Sequence, residues 1–401
     1  MNNSSPTLEP AFADELDNQA SAPHHSIFER LYTGTGGFEI VGRRKFYYSL
    51  TAAFVLISLL SIVVRGFTLG IDFAGGSRIQ LPAAANVSNE QVEDVYAKTL
   101  GHDPVSVQRV GSGAAATIQL RSDTLNASQT DALQTALFDA FQSKDSSGNP
   151  SRNAISVAEI SETWGGQITK KALIALVVFV ALTMIYIAIR FERDMSISAI
   201  GSLFFNMIVT AGVYSLVGFE VTPAAVIGLL TILGYVLYDN VVVFDKVEEN
   251  TRGVLHLNKR TYAEQANLAA NQTLMRSINT TIIGILPIIG MLVIAVWLLG
   301  VGTLKDLALV QLVGMIVGAY SSIFFAVPLL VSIKERWGPV AAHTKKVLAK
   351  RSGAASARAS AEAERRAVAA TGRQGVNNRQ REASQTPRPG ARPSGKRHRR
   401  N

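Results

Sequence analysis

The sequence predicts a polytopic α-helical membrane protein, six transmembrane helices with one α+β domain inserted between the first and second. Three observations predict it. Hydrophobic residues make up 48% of the 401 positions and mean hydropathy is positive at +0.20, a balance that favours a bilayer over a large soluble enzyme. Apolar runs long enough to cross about 30 Å of hydrocarbon recur near 46–64, 172–189, 197–217, 222–244, 277–299 and 307–333. Between the first two runs lies a stretch of about 105 residues with mixed, alternating patterning.

The elements follow in chain order. Residues 1–25 are polar and are expected to be a disordered cytoplasmic tail. Ile27, Phe28, Leu31 and Tyr32 then fall at helical spacing, which predicts an amphipathic segment over 26–45 lying on the membrane interface. Gly34, Gly36 and Gly37 make a turn; no strand-to-helix context or Lys-Ser/Thr pair accompanies them, so a phosphate loop is excluded. The run 46–64 is transmembrane helix one. It is too long for the apolar core of a signal peptide, and no small-residue cleavage site precedes Arg65 and Gly66.

Lys and Arg in the short connections set the orientation. Arg43, Arg44 and Lys45 precede helix one, Arg190 and Arg193 separate helices two and three, and Lys246, Arg252, Lys259 and Arg260 separate four and five. The loop 218–221 has neither, and 300–306 has only Lys305. Both termini are therefore expected in the cytoplasm of a cell with an inner (plasma) membrane, and residues 65–170 outside it.

Within 65–170 the expected order is βαββαβ, the ferredoxin-like arrangement. Arg78–Leu81 reads as a strand. Ser88, with Gln91 at the capping-box position, opens a helix over 89–100. Val105 and Val107, then Ala116, Ile118 and Leu120, alternate as strands joined by Gly111-Ser112-Gly113. Ser128 opens a second helix carrying Leu133, Leu137, Phe138 and Phe141, and Ile155, Val157 and Ile160 give the last strand. No His/Asp/Glu cluster or Ser/His pair supports hydrolysis, and His102 and Asp103 before Pro104 read as loop residues. There are no cysteines, which excludes disulfides, thiol chemistry and Cys-ligated metals. No enzyme activity, metal or cofactor is expected.

Just after helix one stands Gly70-Ile71-Asp72-Phe73-Ala74-Gly75-Gly76-Ser77. Two readings stand side by side. The glycines let the chain leave the bilayer and start a strand, or Gly70, Asp72, Gly75 and Gly76 form a mobile hinge.

Helices two to six occupy 171–336, and one acid, Asp239, lies well inside a span. Such a group costs about 2.5–3.5 kcal/mol on insertion scales and so calls for a function or a partner. Six residues separate it from Asp245 at the cytoplasmic edge, placing it in that half of the bilayer. Arg276, entering helix five from the same side, is the expected partner. The pair is either a proton-coupled switch or a permanent tie between two helices. Asn206 and Thr210 share a face of helix three and, with Asn240, are expected to line a polar path. Pro223, Pro287 and Pro328 read as helix starts and kinks.

From residue 337 the chain carries 16 Lys and Arg against three acids, with few large apolar residues. A basic, disordered cytoplasmic tail over 337–401 is expected, attracted to anionic lipids, with no specific nucleic acid.

Gly70–Ser77 (GIDFAGGS), Phe219–Pro223 (FEVTP), Leu230–Asn250 (LTILGYVLYDNVVVFDKVEEN) and Asn271–Thr280 (NQTLMRSINT) resemble the SecF family, as does Arg30–Tyr48. The resemblance covers about 26–336, with Leu230–Asn250 its most specific block. It implies an RND-type half bundle completed by a SecD-like subunit, working beside the SecYEG channel. There the pair would use the proton-motive force to help draw unfolded preproteins outward. It maps the essential intramembrane Asp and Arg onto Asp239 and Arg276. Many members carry Asp where this sequence has Asn206, which implies a missing second carboxylate. Two other classes compete: an RND-type small-molecule efflux subunit, and a passive scaffold stabilising the channel.

Overall fold

The computed structural model describes residues 38–353 apart from 84–86, 146, 257–258 and 337, together with 356 and 360. The segment 1–25 and the Ile27–Tyr32 pattern fall outside the described residues, as does most of the basic tail. Among the described residues, six helices are long and apolar enough to cross a membrane.

The first span is α1 (Arg44–Arg65). A short strand β1 (Thr68–Leu69) and a single helical turn α2 (Ile71–Ala74) lead from it into the inserted domain. That domain runs through β2 (Gly76–Pro82), α3 (Asn89–Leu100), β3 (Ser106–Val110), β4 (Thr117–Ser122), α4 (Ala127–Phe141) and β5 (Ser156–Ile160). Its four strands form an antiparallel sheet in the order β3-β4-β2-β5. Ile79 faces Leu120 on one side and Val157 on the other. The period-two alternation buries Ile79, Leu81, Ile118 and Leu120 against Val92 and Tyr96 of α3 and Leu133 and Leu137 of α4. Tyr96 is fully buried, its hydroxyl 2.5 Å from Ser122 Oγ, and burial raises its pKa.

Both domain helices start on capping boxes. Ser88 and Gln91 cap α3. The second helix begins earlier than Ser128: Asn126 is the N-cap, its Oδ1 accepting from Gln129 N at 2.8 Å. Asn caps as well as Ser, and only Asn126 has a glutamine three residues on to close the box.

The other spans are α5 (Glu162–Arg190), α6 (Arg193–Val217), α7 (Pro223–Thr251), α8 (Tyr262–Gly290) continued by a π-helical stretch Met291–Leu298, and α9 (Gly302–Tyr320) continued through a π-helical turn Ser321–Ala326 into α10 (Val327–Arg336). A two-residue strand β6 (Glu220–Val221) precedes α7 and pairs in parallel with β1. Pro223 occupies the first turn of α7 behind the Thr222 cap, and Pro287 sits inside α8. The third and sixth spans bury the largest share of their apolar stretches, and the fifth the smallest.

The polar face of the sheet meets the domain-side ends of the spans. Arg121 of β4 faces Glu220 of β6 at 3.2 Å, and Lys305 Nζ at the start of the sixth span donates to Gln108 Oε1 of β3 at 2.9 Å. The tail departs from expectation at its start: the chain is helical over 339–353. Ala, Lys and Leu are strong helix formers there, a propensity that the charge count concealed. Residues from Ala341 form a separate unit.

Candidate functional site

The site grows from α7. Asp239 lies 16 residues after Pro223, about 24 Å along the helix at 1.5 Å per residue, so it sits beyond mid-span from the domain. Its side chain is 5% exposed. Ser277 Oγ of α8 donates to Asp239 Oδ2 at 2.7 Å, and Ser322 Oγ of the π-helical turn donates to the same oxygen. Two hydroxyls on one carboxylate oxygen are what a buried charge requires in place of water.

Arg276, the expected partner, does not pair with Asp239 in this structure. It is exposed, its Nη2 lies 3.5 Å from the Tyr238 hydroxyl, and no ion pair joins it to Asp239. The reason is helical geometry. Successive residues point about 100° apart, and the rotation of α8 that turns Ser277 inward leaves Arg276 on the exposed side of the helix. Tyr238, adjacent to Asp239, shares that outward side and is 54% exposed.

Of the expected polar path, Asn240 belongs to this centre: its Nδ2 lies 3.3 Å from Ser202 Oγ, which reaches Ser321 Oγ at 3.2 Å. Asn206 and Thr210 do not touch Asp239. Asn206 is fully buried and its Nδ2 donates to Gly314 O at 3.0 Å, with Thr210 Oγ1 at 3.5 Å from its Oδ1. They belong to a stripe on α6 at four-residue spacing: Ser198, Ser202, Asn206, Thr210 and Tyr214. The stripe pins the third span to the sixth. Ser198 Oγ donates to Ala326 O at 2.5 Å at one end, and Tyr214 Oη donates to Asp306 O at 2.8 Å at the other.

The glycine segment packs closely against its neighbours. Gly70 N donates to Val221 O at 2.8 Å, and Asp72 faces Arg78 at 3.7 Å. Gly75 (φ 81°) and Gly76 (φ 119°) have backbone that L side chains avoid. A Cβ on Gly75 would lie 2.9 Å from the Glu162 backbone, and one on Gly76 2.5 Å from Ser122 O. Beside this junction a cavity of about 170 Å³ is lined by Asp72, Arg78, Gln108, Glu220, Lys305 and Asp306.

The sequence reading missed Ser277 and Ser322. Their signals were present: Ser277 follows Arg276 directly, and Ser321-Ser322 is a polar pair inside an apolar run before Pro328. Among the described residues no group of three or more His, Asp or Glu is placed to hold a metal ion.

The family described as protein export membrane protein SecD/SecF, C-terminal, matches residues 141–336, which contain Asp239, Ser277 and Ser322; the SecD/SecF GG motif matches 60–87, which contain the glycine junction. Protein translocase subunit SecF of Mycobacterium tuberculosis is 60% identical over 341 residues, 85% of this chain and 77% of that one. SecF of Streptomyces coelicolor is 40% identical over 333 residues, 83% of this chain and 86% of that one. The crystal structure of SecDF, a translocon-associated membrane protein from Thermus thermophilus, superposes with a TM-score of 0.63 at 26% identity, covering 81% of this chain and 41% of that chain.

Proposed function

The chain belongs to the SecF family of protein translocase subunits, and from that premise we propose that it couples the proton-motive force, together with a SecD-like subunit, to late-stage translocation of exported proteins. It is a multi-pass membrane component of protein transport, and the longer SecDF relatives support a SecD-like partner. The observation that carries the coupling is Asp239: a buried carboxylate inside a span, held by hydroxyls, with no ion pair to it among the described residues. A carboxylate so placed can take up and release a proton, and every such event changes its tie to the fifth and sixth spans.

The inserted domain is read as ferredoxin-like, supported by its βαββαβ order and by the sheet order β3-β4-β2-β5, in which the first and third domain strands are central. The spans are read as half of an RND-type bundle. Arg276 and Tyr238 then face the SecD-like subunit, because a guanidinium left against lipid would cost about 2.5–3.5 kcal/mol. The Lys and Arg distribution supports cytoplasmic termini in the inner membrane and an external inserted domain. The SecYEG channel and an emerging unfolded preprotein are the further partners of this reading, and the basic stretch of the tail is attracted to anionic lipids.

The test is Asp239→Asn in the assembled complex. The amide keeps the size and an acceptor for Ser277 but carries no exchangeable charge. Export of a reporter protein at matched membrane levels should lose its uncoupler-sensitive part. Normal, uncoupler-sensitive export by Asp239→Asn would place the proton step elsewhere.

A further inference from the structure

The sixth span contains a device that the proton reading does not itself require. α9 runs regularly to Tyr320, the next six residues are π-helical, and Pro328 follows two residues later. Proline cannot donate to the carbonyl four residues back and its ring crowds that carbonyl, so the helix ahead of it widens. The widened turn presents two consecutive serines to the bundle centre, both fully buried: Ser321 meets Ser202 and Ser322 meets Asp239. π-Helical turns are rare and concentrate at functional sites.

Ser322 has one proton and two acceptors in reach. Its Oγ donates to Asp239 Oδ2, and Ala319 O on its own helix lies 3.3 Å away. A carboxylate is the stronger acceptor and wins while charged; a neutral carboxyl loses that advantage. Resting on the proton reading of Asp239, we propose that Ser322 and Ser277 are positioning residues for the proton step, the Ser322 hydroxyl exchanging Asp239 for the Ala319 carbonyl when the carboxylate binds its proton. The O–H bond of Ser322 stays intact; only its acceptor changes, and the incoming proton ends on Asp239. The tie between the fourth and sixth spans is thereby charge-dependent. Other titratable groups near Asp239 are Tyr235, whose hydroxyl lies 3.0 Å from Thr281 Oγ1, Tyr238, and Arg276. The third and sixth spans face the centre through Ser202, Ser321 and Ser322.

The sixth span also reaches the inserted domain through Lys305, 17 residues from Ser322, about 26 Å at helical rise. A change in how Ser322 is held therefore acts on an element whose far end is bonded to the domain.

The test uses the complex of this chain with its SecD-like partner. The infrared carboxylate band that Asp239→Asn removes is recorded in Ser322→Ala, Ser322→Thr and Ser277→Ala. Losing a donor should move the band in Ser322→Ala and Ser277→Ala, and Ser322→Thr should restore it. Export at matched levels should fall about tenfold in Ser322→Ala, the scale of one hydrogen bond to a charged group, and recover in Ser322→Thr. If Ser322→Ala does not assemble, Ser322→Cys keeps nearly the same volume with a poor donor and should move the band the same way. An Asp239 band that stays in place in these variants, with normal export, overturns the inference while leaving the proton reading intact. Failure of that reading looks different: Asp239→Asn removes no band or exports normally.

Discussion

Asp239 and Arg276 lie on adjacent spans and turn to opposite sides: the carboxylate is 5% exposed between Ser277 and Ser322, while the guanidinium is exposed beside Tyr238. The outward flank of the fourth and fifth spans therefore carries a charge that the described residues leave exposed. Because the chain has no cysteine, Tyr238→Cys provides a unique thiol on that flank. A short thiol-to-amine or photoactivated crosslinker placed there should yield an adduct with the SecD-like subunit. Adducts with lipid alone would sink the assignment of this flank to the partner.

Asn206→Asp should be costly. The Asn206 amide donates to Gly314 O at 3.0 Å at a site with no solvent exposure. An ionised aspartate has no hydrogen to donate and sets two oxygens against each other, a loss of about 1–3 kcal/mol or more for a buried group. Reduced abundance of the folded complex, measured by detergent-solubilised fluorescence or blot at equal expression, is the expected outcome. Full abundance would mean that water reaches this part of the stripe.

How far the sequence led depends on the kind of signal. Spans and strands were legible because hydrophobic periodicity is a local property: Ile79, Leu81, Ile118 and Leu120 alternate in the sequence as they do in the sheet. Asp239 was legible because a lone acid in an apolar run has few explanations. Its partners were not. The choice of Ser277 over Arg276 depends on the rotation of α8, and Ser322 reaches the site only because a π-helical turn changes the phase of the sixth span. A regular 3.6-residue period carries no trace of that phase shift. The packing of Gly75 against Glu162 was hidden for a related reason, since it joins residues far apart in the chain.

The glycines of the junction should differ sharply from glycines elsewhere in the domain. Gly76→Ala would force a Cβ to 2.5 Å from Ser122 O at φ 119°, whereas Gly101→Ala, at φ 83°, meets open space. The second change carries mainly the left-handed backbone penalty of about 1–2 kcal/mol, and the first adds a backbone clash. Limited proteolysis in membranes should show a markedly less resistant domain for Gly76→Ala and a nearly native one for Gly101→Ala. Equal resistance of the two would argue that the junction is loose and that a hinge, not a packed corner, is the better description.

Arg121 fastens the domain to the bundle at one point, and the ionic character of that fastening gives the last prediction. Its Nη2 donates to Leu69 O of β1 at 2.5 Å, and its Nη1 faces Glu220 Oε1 of β6 at 3.2 Å without hydrogen-bond geometry. The two side chains are 7% and 14% exposed, so solvent screens the pair little. Arg121→Met removes the cation and leaves the half-buried Glu220 beside Asp306, still within 3.4 Å of the Gln108 amide, a loss toward the lower end of the about 3–5 kcal/mol for breaking a buried pair. Arg121→Met with Glu220→Gln removes both charges and should recover much of that loss, because the penalty lies mainly in the carboxylate left without its cation. The measurement is the thermal unfolding of the purified complex, followed by proteolysis of the inserted domain, for both single variants and the double. The expected order of stability is wild type, then the double variant, then Arg121→Met. An additive double variant would show that Arg121 acts through its bond to Leu69 O alone, and the contact between β4 and β6 would then carry no charge coupling.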